Sequence, residues 1–148
     1  MRLTAFSDYS LRVLLYLGMH REHLSTIHEI AGFYGISENH LMKVVHALSR
    51  HGYIETLRGK GGGMRLRLTP VEINVGAVVR TTEAGTALIE CFDPAHSHCP
   101  IMPACLLRDV MAKALEAFFL TLDRTTLADL LRADQQLAPL MEARPRLS

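Results

Sequence analysis

Along the first half of the chain, apolar residues recur at helical spacing and then switch to alternation. Between Ser7 and Leu17 the side chains of Leu11, Leu14, Leu15 and Tyr16 fall near one helical face, and Gly18 stands where such a helix is expected to stop. Thr26-Ile27-His28-Glu29 has the form of a capping box, in which Thr26 and Glu29 each satisfy a backbone N–H that the first turn leaves orphaned. Ile27, Ile30, Ala31 and Tyr34 continue it as the apolar face of a second helix. Gly35 can take the positive φ that ends this helix, and Ile36 can plug the turn. Ser37 is a good cap for a third helix, with Leu41, Val44, Val45 and Leu48 inward and Gly52 at its close. Beyond it, Tyr53-Ile54-Glu55-Thr56 and Met64-Arg65-Leu66-Arg67-Leu68 alternate as half-buried strands do, on either side of Arg58-Gly59-Lys60-Gly61-Gly62-Gly63.

Two helices joined by the tight turn Tyr34-Gly35-Ile36-Ser37 and followed by a glycine-tipped hairpin predict a winged helix-turn-helix; an ordinary helical hairpin needs no such wing. No Ser or Thr follows Lys60 and no helix begins there, which argues against a nucleotide phosphate loop. After Pro70, Asn74 can cap a short helix through Val75, Val78 and Val79, and Thr81-Thr82-Glu83-Ala84-Gly85 reads as a loop. Residues 91–105 hold three prolines and fit neither helix nor strand. A long helix returns from Leu106 to Leu122, with Leu107, Val110, Met111, Ala114, Leu115, Phe118 and Leu122 as a broad apolar stripe. A second copy of the chain would cover that stripe, and packing within one subunit is the alternative. Thr126 to Leu131 adds one helical turn. The expected architecture is mainly α: a winged-helix domain at 1–80, a cysteine-containing loop at 81–105, a dimerisation helix region at 106–132 and a loose tail at 133–148.

Composition adds a direction to this pattern. Of 148 residues, 49% are hydrophobic and 21% charged, which excludes a disordered or collagen-like chain. No stretch approaches the roughly 20 apolar residues that span a bilayer, and Met1 to Asp8 lacks the apolar run of a secretory signal, so no membrane partner and a cytoplasmic location are expected. Charge is divided unevenly: residues 1–70 carry nine Lys/Arg against five Asp/Glu, and residues 71–148 carry seven against ten. A basic head on an acidic body implies that only the head meets a polyanion. On that head, Ser37, Asn39, His40 and Lys43 open the third helix, where side chains can reach base edges or phosphates of double-stranded DNA. Arg58, Gly59 and Lys60 combine two cations with backbone freedom at the wing tip, which suits a narrow groove.

All three cysteines, Cys91, Cys99 and Cys105, fall in the irregular segment with spacing C-x7-C-x5-C. An odd number in a reducing compartment argues against a disulfide framework, and the spacing lacks the tight ligand pairs of a structural zinc. Thiolates are the soft ligands of iron-sulfur clusters, and Phe92, Ile101, Met102 and Leu106 supply apolar cover, although three plain free thiols remain possible. A fourth ligand could come from Asp8, Glu90, Asp93, His96 or His98.

The chain resembles the winged-helix iron-sulfur transcription regulators of the IscR/NsrR family over nearly its whole folded length. The resemblance rests on Leu3-Thr4-Ala5-Phe6-Ser7-Asp8-Tyr9-Ser10-Leu11-Arg12-Val13-Leu14, on the turn leading into His40-Leu41-Met42-Lys43-Val44-Val45, on the glycine-rich wing and on the three cysteines. Asn39 to His46 and Glu90-Cys91-Phe92 are similar to the nitric-oxide-responsive NsrR branch. The resemblance implies a homodimeric repressor of palindromic operator DNA that is released when nitric oxide nitrosylates its cluster. It also implies that Asp8 of one subunit completes the ligand set of Cys91, Cys99 and Cys105 of the other. The first cysteine gap is longer than the family's shorter gaps; 4Fe-4S is favoured and 2Fe-2S stays open. Three other readings compete: a metal-free thiol/disulfide sensor of the same fold, a winged-helix adaptor that binds protein, and an enzyme. No nucleophile–base pair and no metal motif such as His-Glu-x-x-His is present, so catalysis is not expected.

Overall fold

The computed structural model describes residues 2–85, 87–93, 95 and 97–143. Three helices come first: α1 (Ala5–Met19), α2 (Ile27–Tyr34) and α3 (Glu38–Arg50). A hairpin of β1 (Ile54–Leu57) and β2 (Gly63–Leu66) and then α4 (Val75–Thr82) follow. Two single turns of 3-10 helix, Glu90–Phe92 and Met102–Ala104, interrupt the cysteine segment before α5 (Leu106–Asp123), α6 (Leu127–Leu131) and α7 (Asp134–Glu142). Mainly helical with one two-stranded antiparallel sheet, this is the predicted winged helix-turn-helix. No helix among the described residues is long and apolar enough to cross a membrane.

The local signals act as their chemistry requires. Thr26 and Glu29 close the capping box of α2, Gly35 ends it in the left-handed region at φ +67°, and the Ser37 side chain caps α3. The strands pair Ile54 with Leu66 and Leu57 with Gly63. Ser25 and Met64 exchange backbone hydrogen bonds of 3.0 and 2.8 Å, which pin the wing to the loop before α2. At the tip a Cβ on Gly62 would lie 2.2 Å from the Leu57 carbonyl oxygen, so only glycine lets the hairpin turn this tightly.

α1 is the hub of the core, packing against α3, α4, α6 and β2. Its Val13, Leu14 and Leu17 are buried with Ile30, Leu41, Val44, Leu48, Ile54, Ile73 and Leu127. Each fully buried Leu or Ile contributes about 1.5–3 kcal/mol. Gly18 is not the stop that its position suggested. It lies inside α1, His20 is the C-cap, and a Cβ at Gly18 would come within 2.6 Å of Leu131, so the missing side chain makes room for α6. α1 also starts earlier than expected, because the Thr4 side chain accepts a hydrogen bond from the Ser7 N–H at 3.2 Å.

Two further departures lie in the second half. Thr81 and Thr82 belong to α4, and Glu83 is its C-cap rather than part of an open loop. Residues 133–148, expected as a loose tail, hold α7 over nine of the described positions. The C-terminal end of α5 is clamped to α4: the Asn74 amide donates to the Asp123 carbonyl at 2.7 Å, and the Arg80 guanidinium grips the Asp123 carboxylate with both Nη atoms. That guanidinium holds the Asp123 carboxyl below its ordinary value.

The α4 C-cap is tied to the start of the chain. One Glu83 carboxylate oxygen accepts from the Thr4 N–H at 2.8 Å, from the Thr4 hydroxyl at 2.9 Å and from the Ser7 hydroxyl. Ser7 is fully buried, and its hydroxyl oxygen also lies 2.7 Å from Thr82 Oγ1. Burial pushes the Glu83 carboxyl up, but the bonds from Ser7 and Thr4 outweigh it, and the group sits below its ordinary value of 4.5. A carboxylate depressed on folding stabilises the protein above its unfolded pKa, and that contribution is lost as pH falls through the folded value. Glu83→Gln should lower stability at neutral pH by about 1 kcal/mol, the low end for charge-assisted bonds that solvent still reaches. Thermal unfolding of both proteins across pH should show that difference shrinking as the medium becomes more acidic than 4.5.

Candidate nucleic-acid interface and cysteine loop

α3 is amphipathic. Leu41, Val44, Val45 and Leu48 face the core, so at 100° per residue Asn39, Met42, Lys43, His46 and Arg50 face outward, and all five are exposed. Of the residues singled out from sequence, Asn39 and Lys43 stand on this face. Ser37 is exposed, but its hydroxyl is occupied in capping, accepting from the His40 N–H at 3.3 Å. His40 turns toward α1, its ring centroid 6.2 Å from that of Tyr9. Glu38 is neutralised by His28 at 2.8 Å when that imidazole is protonated. Arg58, Gly59 and Lys60 are all exposed at the wing tip. Among the described residues, Lys43, Arg50, Arg58 and Lys60 have no ion-pair partner, whereas Arg65 on β2 is paired with Glu55. Sequence reasoning passed over Met42, His46 and Arg50. The available signal was their spacing of three, seven and eleven residues from Asn39, on the face opposite the buried leucines and valines.

The three cysteines are free. Cys91 sits half-buried in the first 3-10 turn, Cys99 is exposed, and Cys105 is half-buried at the N-cap position of α5. Cys91 and Cys99 line one cavity of about 550 Å³ together with Glu90, His98, Leu107 and Met111; Cys105 is not on its wall. Among the described residues, no three His, Cys, Asp or Glu side chains are gathered closely enough to hold a metal ion. In chemistry the donor set still suits an iron-sulfur cluster, being three unbridged thiols in one segment with apolar side chains beside them.

Among the other candidate ligands, Glu90 and His98 reach the cavity, while Asp93 Oδ1 accepts from the Ala95 N–H at 2.9 Å. His96 lies outside the described residues. Asp8 is not gathered with the cysteines of its own chain. It forms a two-point ion pair with Arg12, Oδ2 to Nη2 at 2.8 Å and Oδ1 to Nε at 3.1 Å, with both side chains half-exposed. The same Arg12 stands 5.7 Å from the Tyr34 ring, and the Tyr34 hydroxyl donates to the Arg12 carbonyl at 3.1 Å. Burial pushes the Tyr34 phenol up to about 12 in spite of the neighbouring guanidinium, so it remains a hydrogen-bond donor.

α5 buries no residue fully. The structure divides the stripe read from sequence into two faces. Met111, Leu115, Phe118 and Leu122 are half-buried, but Leu107 and Val110 remain 67% and 61% exposed. With Ala114, Ala117 and Thr121 these outward residues repeat at alternating intervals of three and four, the spacing of a coiled-coil seam.

Comparison with known proteins places this geometry. Residues 3–133 match the Rrf2 family model, described as an iron-dependent transcriptional regulator. The HTH-type transcriptional regulator NsrR of Bacillus subtilis is 47% identical over 96% of this chain and 98% of its own length. The protein of that name from Geobacillus kaustophilus is 48% identical over 97% and 99%. Among solved structures, T. potens IscR superposes with a TM-score of 0.74 at 23% identity, covering 93% of this chain and 90% of that one, a likeness of fold. CymR, the global cysteine regulator of B. subtilis, superposes with a TM-score of 0.68 at 25% identity over 88% and 95%. The Bacillus subtilis and Geobacillus kaustophilus relatives are both named as transcriptional regulators. The chain belongs to the Rrf2 family of iron-dependent transcriptional regulators.

Proposed function

We propose that the protein is a homodimeric repressor that binds palindromic operator DNA and is released by nitric oxide acting on an iron-sulfur cluster. The observation that carries this reading is the position of the three free cysteines, in one segment between the basic reading head and the exposed seam of α5. Cys91, Cys99 and Cys105 supply three thiolates, and Asp8 of the partner subunit supplies a carboxylate. When bound, the cluster supplies iron with which nitric oxide reacts; 4Fe-4S is favoured, with 2Fe-2S as the alternative.

The chain's own residues set up the switch. Cys105 stands at the N-terminus of α5, where the positive end of the helix dipole favours an anionic ligand set. Asp8 must leave Arg12 to serve as a ligand. That costs little, because an exposed pair one helical turn apart is worth only about 0.3–0.5 kcal/mol. A carboxylate is a harder and more labile ligand for iron than a thiolate, so Asp8 is the contact expected to open first. Two chains meeting along the Leu107–Val110–Ala114–Ala117 seam would fix the separation of their α3 helices, and small alanines allow close approach. A repressor read in this way loses operator affinity when the tie between one subunit's α1 and the other's loop is cut.

The reading makes two sets of expectations. On DNA, Lys43→Ala should weaken binding to all sequences alike and lower the salt dependence by about one counterion, and Arg58→Ala should cost about 1–3 kcal/mol at the operator. Titrations by fluorescence anisotropy at several salt concentrations measure both; an unchanged slope and wild-type affinity would remove these residues from the interface. At the cluster, Cys99→Ala should abolish visible absorbance, bound iron and tight operator binding together in protein purified without oxygen. Asp8→Ala should retain iron with an altered spectrum and an altered response to nitric oxide. Colourless, iron-free wild-type protein that forms a disulfide would instead support the thiol sensor.

A further inference from the structure

Met42 is the large apolar side chain on the outward face of α3, and it is 54% exposed. One exposed apolar residue needs no explanation by itself; the setting of this one does. Asn39 precedes it by three positions, Lys43 follows it directly and His46 lies one turn on, all exposed. The core face of the helix is complete without it, since Leu41, Val44, Val45 and Leu48 are buried. The helix and the wing that follows it carry free cations: Lys43 and Arg50 on α3, and Arg58 and Lys60 on the wing, have no ion-pair partner among the described residues. A face of this charge suits a polyanion, and in duplex DNA the apolar feature within a major groove is the C5-methyl group of thymine. An unbranched thioether side chain with three rotatable bonds can follow such a methyl across small differences in docking.

We propose that Met42 is a specificity-determining residue, packing on the C5-methyl of a thymine in each operator half-site while Asn39 and Lys43 make the polar contacts around it. This rests on the DNA-binding reading above. The test starts from the full-length protein, purified without oxygen, and a duplex it enriches from a random pool. Each thymine of that duplex is then replaced singly by deoxyuridine, which removes the methyl and leaves every hydrogen-bonding group in place. Wild-type protein should lose about fourfold in affinity at one thymine per half-site, the effect of one methyl withdrawn from an apolar contact. Met42→Ala should bind thymine and deoxyuridine duplexes equally, and Met42→Leu should keep the preference. A thymine preference that persists unchanged in Met42→Ala, or a wild-type protein indifferent to deoxyuridine at every position, overturns the assignment. Enrichment of no sequence would overturn the regulator reading itself, and this assignment with it.

Discussion

Everything in this fold is referred to α1. One face of the helix supplies Val13, Leu14 and Leu17 to a core shared with α2, α3 and the wing. Its N-terminal turn is bonded to the end of α4 through Thr4, Ser7 and Glu83, and its C-terminal turn receives Leu131 of α6 against Gly18. A single rigid rod therefore sets both the pose of α3, which packs across it, and the place where the cysteine segment leaves the body of the protein. A displacement at the start of α1 cannot be absorbed locally, because close-packed interiors of this kind shift as units rather than deform continuously.

The arrangement separates two kinds of surface. The head offers cations on α3 and on a wing whose tip is held tight by Gly62, cations that have no ion-pair partner among the described residues. The arm offers an apolar heptad seam on a helix clamped to α4 by Asn74, Arg80 and Asp123 at its far end. On the proposed reading, a clamp at one end and exposed apolar side chains toward the other suit a helix that completes its packing with a second chain. The division of net charge between the two halves of the sequence runs along the same line, the basic half carrying the head and the acidic half the arm.

Much of this was legible in the sequence because it is written in short-range chemistry. Thr26 and Glu29, Gly35 and Ser37 each act within one turn of chain, and the strands announce themselves by alternation. What escaped was set by contacts across long separations. Gly18 reads as a stop until Leu131, more than a hundred residues away, is seen to occupy the space of its missing side chain. Glu83 reads as loop until the buried Ser7 hydroxyl and the Thr4 backbone are found to need its carboxylate. The outward residues Met42, His46 and Arg50 were predictable from the period of α3. The cysteine segment illustrates the reverse case: its spacing states a ligand chemistry clearly, yet a single chain leaves Cys105 off the cavity that Cys91 and Cys99 share.

The first two turns of α1 hold one carboxylate, Asp8, and receive another, Glu83, under opposite constraints. Glu83 accepts three hydrogen bonds from buried or part-buried donors, and releasing it would leave the part-buried Thr4 N–H without its acceptor and the buried Ser7 hydroxyl without its anionic one. An unsatisfied buried polar group costs about 1–3 kcal/mol, so this carboxylate is committed to structure. Among the described residues Asp8 has Arg12 as its ion-pair partner, in a pair open to solvent on both sides, and exchanging that partner costs a fraction of as much. A helix built in this way can give up the outer carboxylate to a new partner without loosening the end that carries it. On the proposed reading that is the property a switch requires: the ligand that moves is mounted on the part of the fold that does not.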